Sequence, residues 1–368
     1  MINNNAITLL FAYRNRDTIR VDLALKSLAL QTNLNFDVVF VDYGSKENSF
    51  RSAQAVIAKY DFATYYYIGH QGLLWNKSKA LNYGIEKSQS EFVLTADVDL
   101  LFAPQFIETV HLFKNKCTYS LFKIGYLSKR VTEQQQMKLD VNVIATKFIG
   151  DTFGVGLYAK SALQNVGGLD EFFHFYGSED EDLNFRIQAS GIQLHRVDDL
   201  MLYHQWHERY PIRKDSKLTV LPRLSNILRL NQRHFLRHKM YNQVSVNTER
   251  KKTFFLKYDL KVLEHPGTTF EINNIAAHVS HFFEEELPRL KEGVYKVVIT
   301  EDPYYTSWKY KCKLLLGKHT QPYLSMKTIN DTVLKCILFK YRHNNYSYEV
   351  SKDLKQIYFS IVLKSVLV

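Results

Sequence analysis

The sequence predicts an α/β domain over its first 208 residues, followed by a basic C-terminal part. Between residues 6 and 115, runs of β-forming residues alternate regularly with segments whose apolar residues have helical spacing. This alternation favours a mostly parallel sheet covered by helices on both faces. Hydrophobic residues make up 46% of the 368-residue chain, which is enough for a second core. We therefore expect an α/β fold with a C-terminal α+β extension.

Each element of this alternation has its own local signature. In order, the predicted elements are the strand ITLLFAY, the helix RDTIRVDLALKSLALQ, the strand FDVVFVDYGS, the helix SFRSAQAVIAKY, the strand TYYYIG, the helix NKSKALNYGIEKS and the strand EFVLTADVD. The first helix has Asp17 as its predicted N-cap and Ile19, Leu23 and Leu30 as its apolar positions. Because the carboxyl ends of parallel strands share one edge of a sheet, we expect a ligand site at that edge.

Charge and cysteine usage restrict the cellular setting. Residues 1–208 contain 20 Lys and Arg against 23 Asp and Glu, whereas residues 209–368 contain 28 against 14, so the two parts face different partners. Three cysteines without metal or CxxC spacing favour a reducing compartment. No secretory signal is predicted, and no run reaches the ~20 apolar residues of a membrane span. We expect a cytoplasmic protein, soluble or peripheral at the membrane, and the abundant Asn, Lys, Ile and Tyr indicate a bacterial source.

Two carboxylates follow the last strand of the alternation. The period of two in a strand places Asp97 and Asp99 on one side of TADVDLLF, where they could hold a divalent cation that bridges phosphate oxygens. The alternative is a solvated Asp turn. The chain contains neither GxGxxG nor GxxxxGK[ST], which excludes the common dinucleotide fingerprint and the phosphate-binding loop.

The stretch YGSEDEDLNFRI, residues 176–187, carries a dense acidic cluster. Ser178 and Glu181 have the spacing of a capping box, and acidic residues suit the positive end of a helix. Leu183, Phe185 and Ile187 would then supply buried positions. The cluster is therefore either a solvated helix start or a site that needs negative charge.

Taken in order, six motifs resemble one family. FAYRNR, VDYGS, NKSKALNYGI, TADVDLLF, VGGLDEFFHFYGSEDEDLNFRI and LYHQWHE cover about residues 6–208. The set resembles the nucleotide-sugar glycosyltransferases of the GT-A fold, in particular inverting family 2 enzymes with a β-1,4-galactosyltransferase-like second half, among them the bacterial chondroitin-type polymerases. The resemblance implies a Rossmann-like, mixed and mostly parallel sheet flanked by helices. It also implies metal-dependent transfer of a hexose or N-acetylhexosamine from a UDP-sugar to a glycan acceptor, such as capsule, lipopolysaccharide or a similar surface polysaccharide.

The resemblance implies a set of donor-binding residues. Tyr13 would stack on uracil with Arg14 or Arg16 nearby, and Asp42 would lie by the uracil or the ribose. Tyr43 stands where relatives often carry a second Asp, which is a departure from the family pattern.

Further donor contacts are implied downstream. Lys79 stands where relatives direct a basic residue toward the diphosphate, although ordinary surface charge is the alternative for it and for the two arginines. Gly154 and Gly156 would allow close backbone approach near the sugar, or form a hairpin turn. Arg209 would belong, with Arg213 and Lys214, to a mobile loop that closes over the donor phosphates.

The resemblance also implies the metal site and the catalytic residues. Asp97, Asp99 and His204 would bind Mn²⁺ or Mg²⁺, with His207 as a weaker candidate ligand. Asp180 would be the general base, and Glu179 would orient or help to bind the acceptor.

The basic C-terminal part allows several interpretations. The predicted division is a catalytic domain 1–215, a basic helical connector 216–252 and a C-terminal domain 253–368. Arg229, Arg233 and Arg237 would lie on one face of a connector helix that contacts an anionic membrane or an acidic polysaccharide, or that packs on the catalytic domain with this face outward.

Parts of the sequence also suit three other functional classes. A non-catalytic sugar-nucleotide or glycan-binding protein of the same fold would bind without turnover. A nucleic-acid-binding protein would suit the basic part, but no nucleic-acid motif is present, so no such partner is expected. A nucleotidyltransferase would use the same paired carboxylates but leave Asp180 and His204 without a role.

Overall fold

The computed structural model describes residues 6–142, 144–208, 215–247 and 254–363 of the chain. The chain forms two compact units, each assembled from separate segments. The first unit contains Met1–Ile68, Trp75–Arg209 and Leu228–Phe254, and the second contains Gly69–Leu74, Tyr210–Ile227 and Phe255–Val368.

The first unit is built on a mixed sheet that has nine strands within the described residues. They are β1 (Ile7–Tyr13), β2 (Phe36–Tyr43), β3 (Ala63–Ile68), β4 (Phe92–Ala96), β5 (Leu100–Phe102), β6 (Thr118–Tyr126), β7 (Phe148–Ala159), β8 (Gln193–Val197) and β9 (Leu202–His204). The order along the sheet is β3-β2-β1-β4-β7-β6-β9-β5, and β8 pairs with β6. The pairs among β1 to β4 are parallel, whereas β7 runs antiparallel to both of its neighbours.

Helices flank this sheet. They are α1 (Thr18–Ala29), α2 (Glu47–Ile57), α3 (Lys77–Lys87), α4 (Phe106–Leu112), α5 (Lys129–Met137), α6 (Lys160–Asn165), α7 (Glu179–Ala189) and α8 (Ile227–Met240). The predicted α/β fold with a mostly parallel central sheet is therefore confirmed.

Helix α1 shows where local sequence signals succeed and fail. The Asp17 carboxylate accepts a hydrogen bond from the Ile19 backbone N–H, which confirms the predicted cap. Of the three predicted apolar positions, Leu23 is buried, but Ile19 is 57% exposed and Leu30 is 53% exposed. Val21 and Leu25 are buried with Leu23.

The second unit contains a smaller sheet, which confirms the predicted α+β extension. Its strands are β10 (Thr268–Asn273), β11 (Gly293–Thr300), β12 (Tyr346–Val350) and β13 (Gln356–Leu363), in the order β10-β11-β13-β12. Its helices are α9 (Leu260–Glu264), α10 (Ala276–His281), α11 (Leu287–Arg289), α12 (Pro303–Thr306), α13 (Trp308–Leu315) and α14 (Met326–Cys336), and π-helical turns occupy Phe282–Glu286 and Ile337–Tyr341.

The division into units differs from the predicted boundaries in two places. The predicted connector 216–252 is divided after Ile227, with its first part in the second unit and the rest in the first, while the short segment Gly69–Leu74, predicted within the catalytic domain, groups with the second. Within the first unit, α8 packs on α7: the Phe235 and Phe185 rings lie 6.2 Å apart, and Arg229, Arg233 and Arg237 are exposed. This arrangement agrees with the packing alternative for the basic helix. Within the described residues, no helix is long and apolar enough to cross a membrane.

Candidate active site

Strand pairing brings three possible metal ligands together. Strand β5 begins directly after Asp99 and pairs antiparallel with β9, so that Leu100 lies opposite His204. The Asp99 carboxylate oxygens lie 3.6 Å from His204 Nε2 and 3.5 Å from His207 Nε2. One carboxylate and two imidazoles form a donor set suited to a divalent transition metal. The predicted ligands Asp99 and His204 are therefore adjacent, and His207 completes the group.

Asp97 faces a different partner. Its Oδ1 lies 3.3 Å from Lys77 Nζ, and the same Nζ lies 3.3 Å from Asp180 Oδ2. Desolvation raises the pKa of Asp97, but Lys77, His204 and Arg16 outweigh this effect and lower the pKa overall. Asp97 is thus held as a carboxylate beside Lys77 and does not join the group of Asp99 and the two histidines.

Lys77 is a residue that the sequence argument missed. It is the first residue of α3, directly after the N-cap Asn76, and its side chain is 18% exposed. Its ammonium joins the DxD motif to the acidic cluster, which are 83 residues apart in sequence. The signal was present in NKSKALN, where Lys77 and not Lys79 faces Asp97 and Asp180.

Lys79 was predicted toward the diphosphate, and the structure places it elsewhere. It is 3% exposed, and its Nζ lies 3.8 Å from Glu171 Oε2 in the interior. Successive helical residues are rotated by about 100°, so two positions along α3 separate these lysines by about 200°. This rotation turns Lys79 toward the core and Lys77 toward the carboxylates.

The acidic helix α7 begins in an unexpected way. Ser178 has a left-handed backbone with φ 66° and its side chain caps nothing, so the predicted capping box is wrong. Instead, the Glu179 carboxylate accepts a 2.8 Å hydrogen bond from the Gly177 backbone N–H. Glu179 is 7% exposed, and burial together with the neighbouring Asp180 raises its pKa to about 7.

Asp180 is the residue of the acidic cluster that shares Lys77 with the DxD motif. Its side chain is 25% exposed, and Lys77 Nζ donates a hydrogen bond to Oδ2 at 3.3 Å. Desolvation raises the pKa of Asp180, Lys77 lowers it and Asp97 raises it, with a net rise. A partly accessible carboxylate with a raised pKa is suited to accepting a proton.

Gly154 lies on strand β7 against Asp180. A Cβ atom added at Gly154 would lie 2.8 Å from Asp180 Oδ2, closer than such contacts allow. Gly156 also lies within β7, and its N–H donates to Thr95 Oγ1 at 3.3 Å. The two glycines therefore belong to a strand and not to a hairpin turn, and Gly154 leaves the space that Asp180 occupies.

Two predicted donor contacts are not accessible in the structure. Tyr13 is 0% exposed, its ring lies 5.3 Å from that of Phe40, and its hydroxyl donates to the Arg16 carbonyl at 2.7 Å. Asp42 is also 0% exposed and accepts hydrogen bonds from Ser45 N–H and Tyr65 OH. Stacking of Tyr13 on a base is therefore corrected to core packing, because β1 is central in the sheet. Asp42 likewise stabilises the turn after β2.

The arginines after β1 remain near the sheet edge. Arg16 is exposed, and its charge lowers the pKa of Asp97. Arg14 is half-buried, and its charge opposes the rise that desolvation causes in the pKa of Asp42. Arg20, which the sequence argument also missed, has NH1 3.4 Å from Asp99 Oδ2. Arg209, Arg213 and Lys214 lie outside the described residues.

Comparison with known families agrees with this architecture. Residues 12–145 match the model of glycosyl transferase family 2, and residues 135–209 match the model described as the N-terminal domain of galactosyltransferase. A chondroitin synthase of Pasteurella multocida (strain Pm70) is 24% identical over 248 residues. The match covers 55% of this chain but only 25% of that synthase.

Two solved structures also match about half of the chain. The structure of S. aureus TarS residues 1–349 covers 54% of this chain and 60% of its own, with a TM-score of 0.42 and 16% identity. The mannosyltransferase PcManGT of Pyrobaculum calidifontis, in complex with GDP-Man and Mn²⁺, has a TM-score of 0.41 and 14% identity over 57% of this chain and 59% of its own.

The two family matches overlap at residues 135–145 and together span the sheet, the DxD turn, the acidic helix, His204 and His207. The order and spacing of these parts are those expected from the motifs. The chain therefore belongs to the glycosyltransferases of GT-A fold, through a family 2 domain with a galactosyltransferase-like second half at residues 12–209.

Proposed function

We propose that the chain is an inverting, metal-dependent glycosyltransferase that uses a UDP-sugar donor, with Asp180 as the general base. The observation that carries this proposal is the position of Asp180, which shares Lys77 with Asp97 of the DxD motif at 3.3 Å on each side. A base must lie close to the sugar C1 while the diphosphate lies close to the DxD motif. Because Lys77 contacts both Asp97 and Asp180, it supports a single site that contains the base and the diphosphate-binding motif.

The reaction follows from these groups. The acceptor hydroxyl oxygen attacks C1 and forms the new C1–O bond as the C1–O bond to the diphosphate breaks. Asp180 takes the hydroxyl proton, and the leaving UDP keeps the electron pair. Lys77 keeps Asp180 ionised before the attack, since its charge opposes the desolvation that raises the pKa of this carboxyl.

Glu179 has a supporting role in this proposal. Its pKa of about 7 leaves it protonated in a large fraction of molecules at neutral pH, when it can donate a hydrogen bond to an acceptor oxygen. Its position beside the exposed Tyr176 ring suits an acceptor sugar, because apolar sugar faces pack on aromatic rings.

We propose Asp99, His204 and His207 as the protein ligands of the metal. Their ligand atoms lie within 4.8 Å of one another, and a bound divalent ion would neutralise charge on the leaving diphosphate. This set replaces Asp97 with His207 relative to the sequence prediction. Arg16 and Arg14 at the sheet edge, and Arg209 beyond the described residues, remain candidates for the donor phosphates and nucleotide.

The metal assignment has its own test. We expect His207→Ala to raise the Mn²⁺ concentration for half-maximal activity by at least about tenfold. His195→Ala, a surface histidine of β8, serves as the control and should leave it unchanged. Equal metal dependence in all three proteins would reject His207 as a ligand.

The donor sugar is proposed as a hexose or an N-acetylhexosamine and the acceptor as a bacterial surface polysaccharide. The match to a chondroitin synthase supports a polysaccharide product. The chain spans a quarter of that synthase, so the activity of the complete synthase does not transfer to it.

The central experiment measures UDP release from a panel of UDP-sugars with Mn²⁺, alongside donor binding by calorimetry. We expect release with one sugar, and a loss of at least about 100-fold in kcat for Asp180→Asn with donor binding retained. Glu181→Gln, an exposed neighbour on α7, is the control. Binding without turnover for any acceptor would favour the non-catalytic sugar-nucleotide-binding protein, and absence of donor binding would reject the proposal.

We also propose peripheral contact with the cytoplasmic membrane through helix α13. Trp308 is 78% exposed, Leu315 is 84% exposed and Leu316 is 68% exposed, beside the exposed Lys309 and Lys311. Exposed apolar residues flanked by lysines are typical of surfaces that enter the interface of anionic membranes.

Vesicle flotation tests this contact. We expect the full chain to float with vesicles of anionic phospholipid and not with phosphatidylcholine alone, and Leu315→Glu to abolish flotation. Lys355→Glu, elsewhere in the second unit, controls for the change in charge. Absence of flotation with anionic vesicles would reject the membrane contact without affecting the catalytic proposal.

A further inference from the structure

A second cluster of metal-ligating side chains lies in the first unit, separate from the candidate active site. His234 and His238 are four residues apart on α8, so their side chains lie on the same face of the helix. Asp170, in the GGLDE motif, faces both: its Oδ2 lies 2.8 Å from His234 Nε2 and 3.6 Å from His238 Nε2. The three ligand atoms lie within 4.8 Å of one another.

The cluster is buried and supported from behind. The His238 side chain is 1% exposed and that of Asp170 is 9% exposed. Asp182 Oδ1 lies 2.6 Å from His238 Nδ1, which fixes the ring and directs Nε2 toward Asp170. A carboxylate on the outer nitrogen of a histidine is the usual support for a metal-ligating imidazole. The Phe172 ring stacks on His234 with centroids 3.7 Å apart, so this ring is also held in place.

Charge balance requires a further positive charge here. Asp170 and Asp182 are both buried carboxylates, and Arg186 Nε, 2.8 Å from Asp182 Oδ2, supplies one cation against the two. If His238 Nδ1 donates to Asp182, then an unprotonated Nε2 directs its lone pair at the Asp170 carboxylate. Two buried acceptors facing each other are unfavourable unless a proton or a metal ion lies between them.

We propose that Asp170 Oδ2, His234 Nε2 and His238 Nε2 bind a divalent transition metal ion, most suitably Zn²⁺. The site would be structural: it would join α8 to the GGLDE segment and, through the contact of His238 with Asp182, to α7. Zn–N and Zn–O bonds of about 2.1 Å at tetrahedral angles separate ligand atoms by about 3.4 Å, and the observed 2.8 and 3.6 Å lie on either side of this value. Two imidazoles with one carboxylate favour Zn²⁺ over Mg²⁺ or Ca²⁺. Water can occupy the fourth position.

This inference is independent of the proposed transferase activity. The inference assigns a structural role to the inner face of α8. The ion would connect α8, through Asp182, to the helix that carries Glu179 and Asp180. The HxxxH spacing in RHFLRHK was a sequence signal for it, since residues four apart share a helix face.

The test uses the full chain without a histidine tag, in an Asp99→Asn background that disables the other candidate metal group. After chelation and dialysis, Zn²⁺ is added alone, and bound metal is measured by elemental analysis and calorimetry. We expect one Zn²⁺ per chain with a Kd below about 1 µM, and a rise in Tm on binding.

Variants separate ligation from folding. We expect His234→Gln to lose the bound Zn²⁺ and the Zn²⁺-dependent rise in Tm, whereas His281→Gln, an exposed histidine of α10, should keep both. Circular dichroism checks that each variant is folded, and Asp170→Asn replaces His234→Gln if that variant fails. If the folded Asp99→Asn protein binds no Zn²⁺ and its Tm does not respond, the cluster holds a proton and not a metal, and the proposal is overturned.

Discussion

Gly154 and Glu179 show how single residues set the properties of the candidate base. Gly154 gives Asp180 the space for its carboxylate, since a Cβ there would lie 2.8 Å from Oδ2. Glu179 stays beside it with a pKa near 7 because it is buried next to a second carboxylate. Both features depend on the local environment of one side chain, and each can be changed alone.

Gly154→Ala is expected to lower kcat by about 10- to 100-fold while leaving the fold intact, because the new methyl group displaces Asp180 from its position beside Lys77. Steady-state kinetics with circular dichroism measures this. Gly150→Ala, on the same strand, is the control, since its Cβ would meet only Tyr126 at an ordinary 3.5 Å. Equal activities of the two variants would contradict the placement of Asp180.

Glu179→Gln is expected to raise the free energy of unfolding at pH 8 by about 3 kcal/mol and to leave it nearly unchanged at pH 4.5. The raised pKa means that the folded state holds the proton more tightly than the unfolded state does. The stability that this carboxyl contributes is therefore complete below its unfolded pKa of about 4.5 and is lost as the pH rises through about 7. The neutral amide does not suffer this loss.

Urea unfolding at both pH values, with Glu181→Gln as the exposed control, measures the difference. A Glu179→Gln protein that is less stable than wild type at pH 8 would show that the carboxylate is stabilised in the folded state, opposite to the expected sign.

At the scale of elements, helix α7 is fixed by buried polar contacts. Asn184 donates to the Phe153 carbonyl at 2.9 Å and accepts from Tyr158 OH at 2.7 Å, which ties the helix to strand β7. Arg186 is 0% exposed, pairs with Asp182 and donates to the Val166 carbonyl at 2.9 Å. These contacts of Asn184 and Arg186 fix the later turns of α7, and through them the position of its acidic first turn.

Arg186→Met is expected to lower the free energy of unfolding by about 3–5 kcal/mol, because Asp182 would lose its buried cation. Arg51→Met is the matched control, since the exposed Arg51–Glu47 pair of α2 should contribute at most about 1 kcal/mol. Chemical denaturation measures both. Similar losses in the two variants would mean that Arg186 is no more important than a surface ion pair.

At the scale of the whole molecule, the two units are interleaved in sequence. The segment Gly69–Leu74 lies between β3 and α3 of the first unit but belongs to the second. There, His70 Nε2 lies 2.8 Å from Asn345 Oδ1, the Leu74 N–H donates to Tyr346 OH at 3.2 Å, and His70 and Leu74 are each 1% exposed. The part of the second unit around Asn345 and Tyr346 therefore contacts a segment that lies, in sequence, within the family 2 match.

Ending the chain at Phe254 is expected to give a protein of low solubility and reduced Tm, because Leu73 and Leu74 would lose their buried surroundings. Soluble yield and thermal unfolding of residues 1–254 test this. The same truncation with Leu73 and Leu74 replaced by Ser should recover solubility. A stable, soluble 1–254 with the native leucines would contradict the interleaved organisation.

The sequence by itself determined the alternation of β1 to β4 with α1 to α3, the family, and the local positions of the DxD motif, the acidic helix and His204. These depend on apolar periodicity and on motifs that are short in sequence. Only the tertiary structure decided that Lys77 and not Lys79 reaches the carboxylates, that His207 and not Asp97 joins Asp99, and that Tyr13 and Asp42 are buried. These outcomes depend on helix rotation, strand register and packing between residues far apart in sequence, which local patterns do not encode.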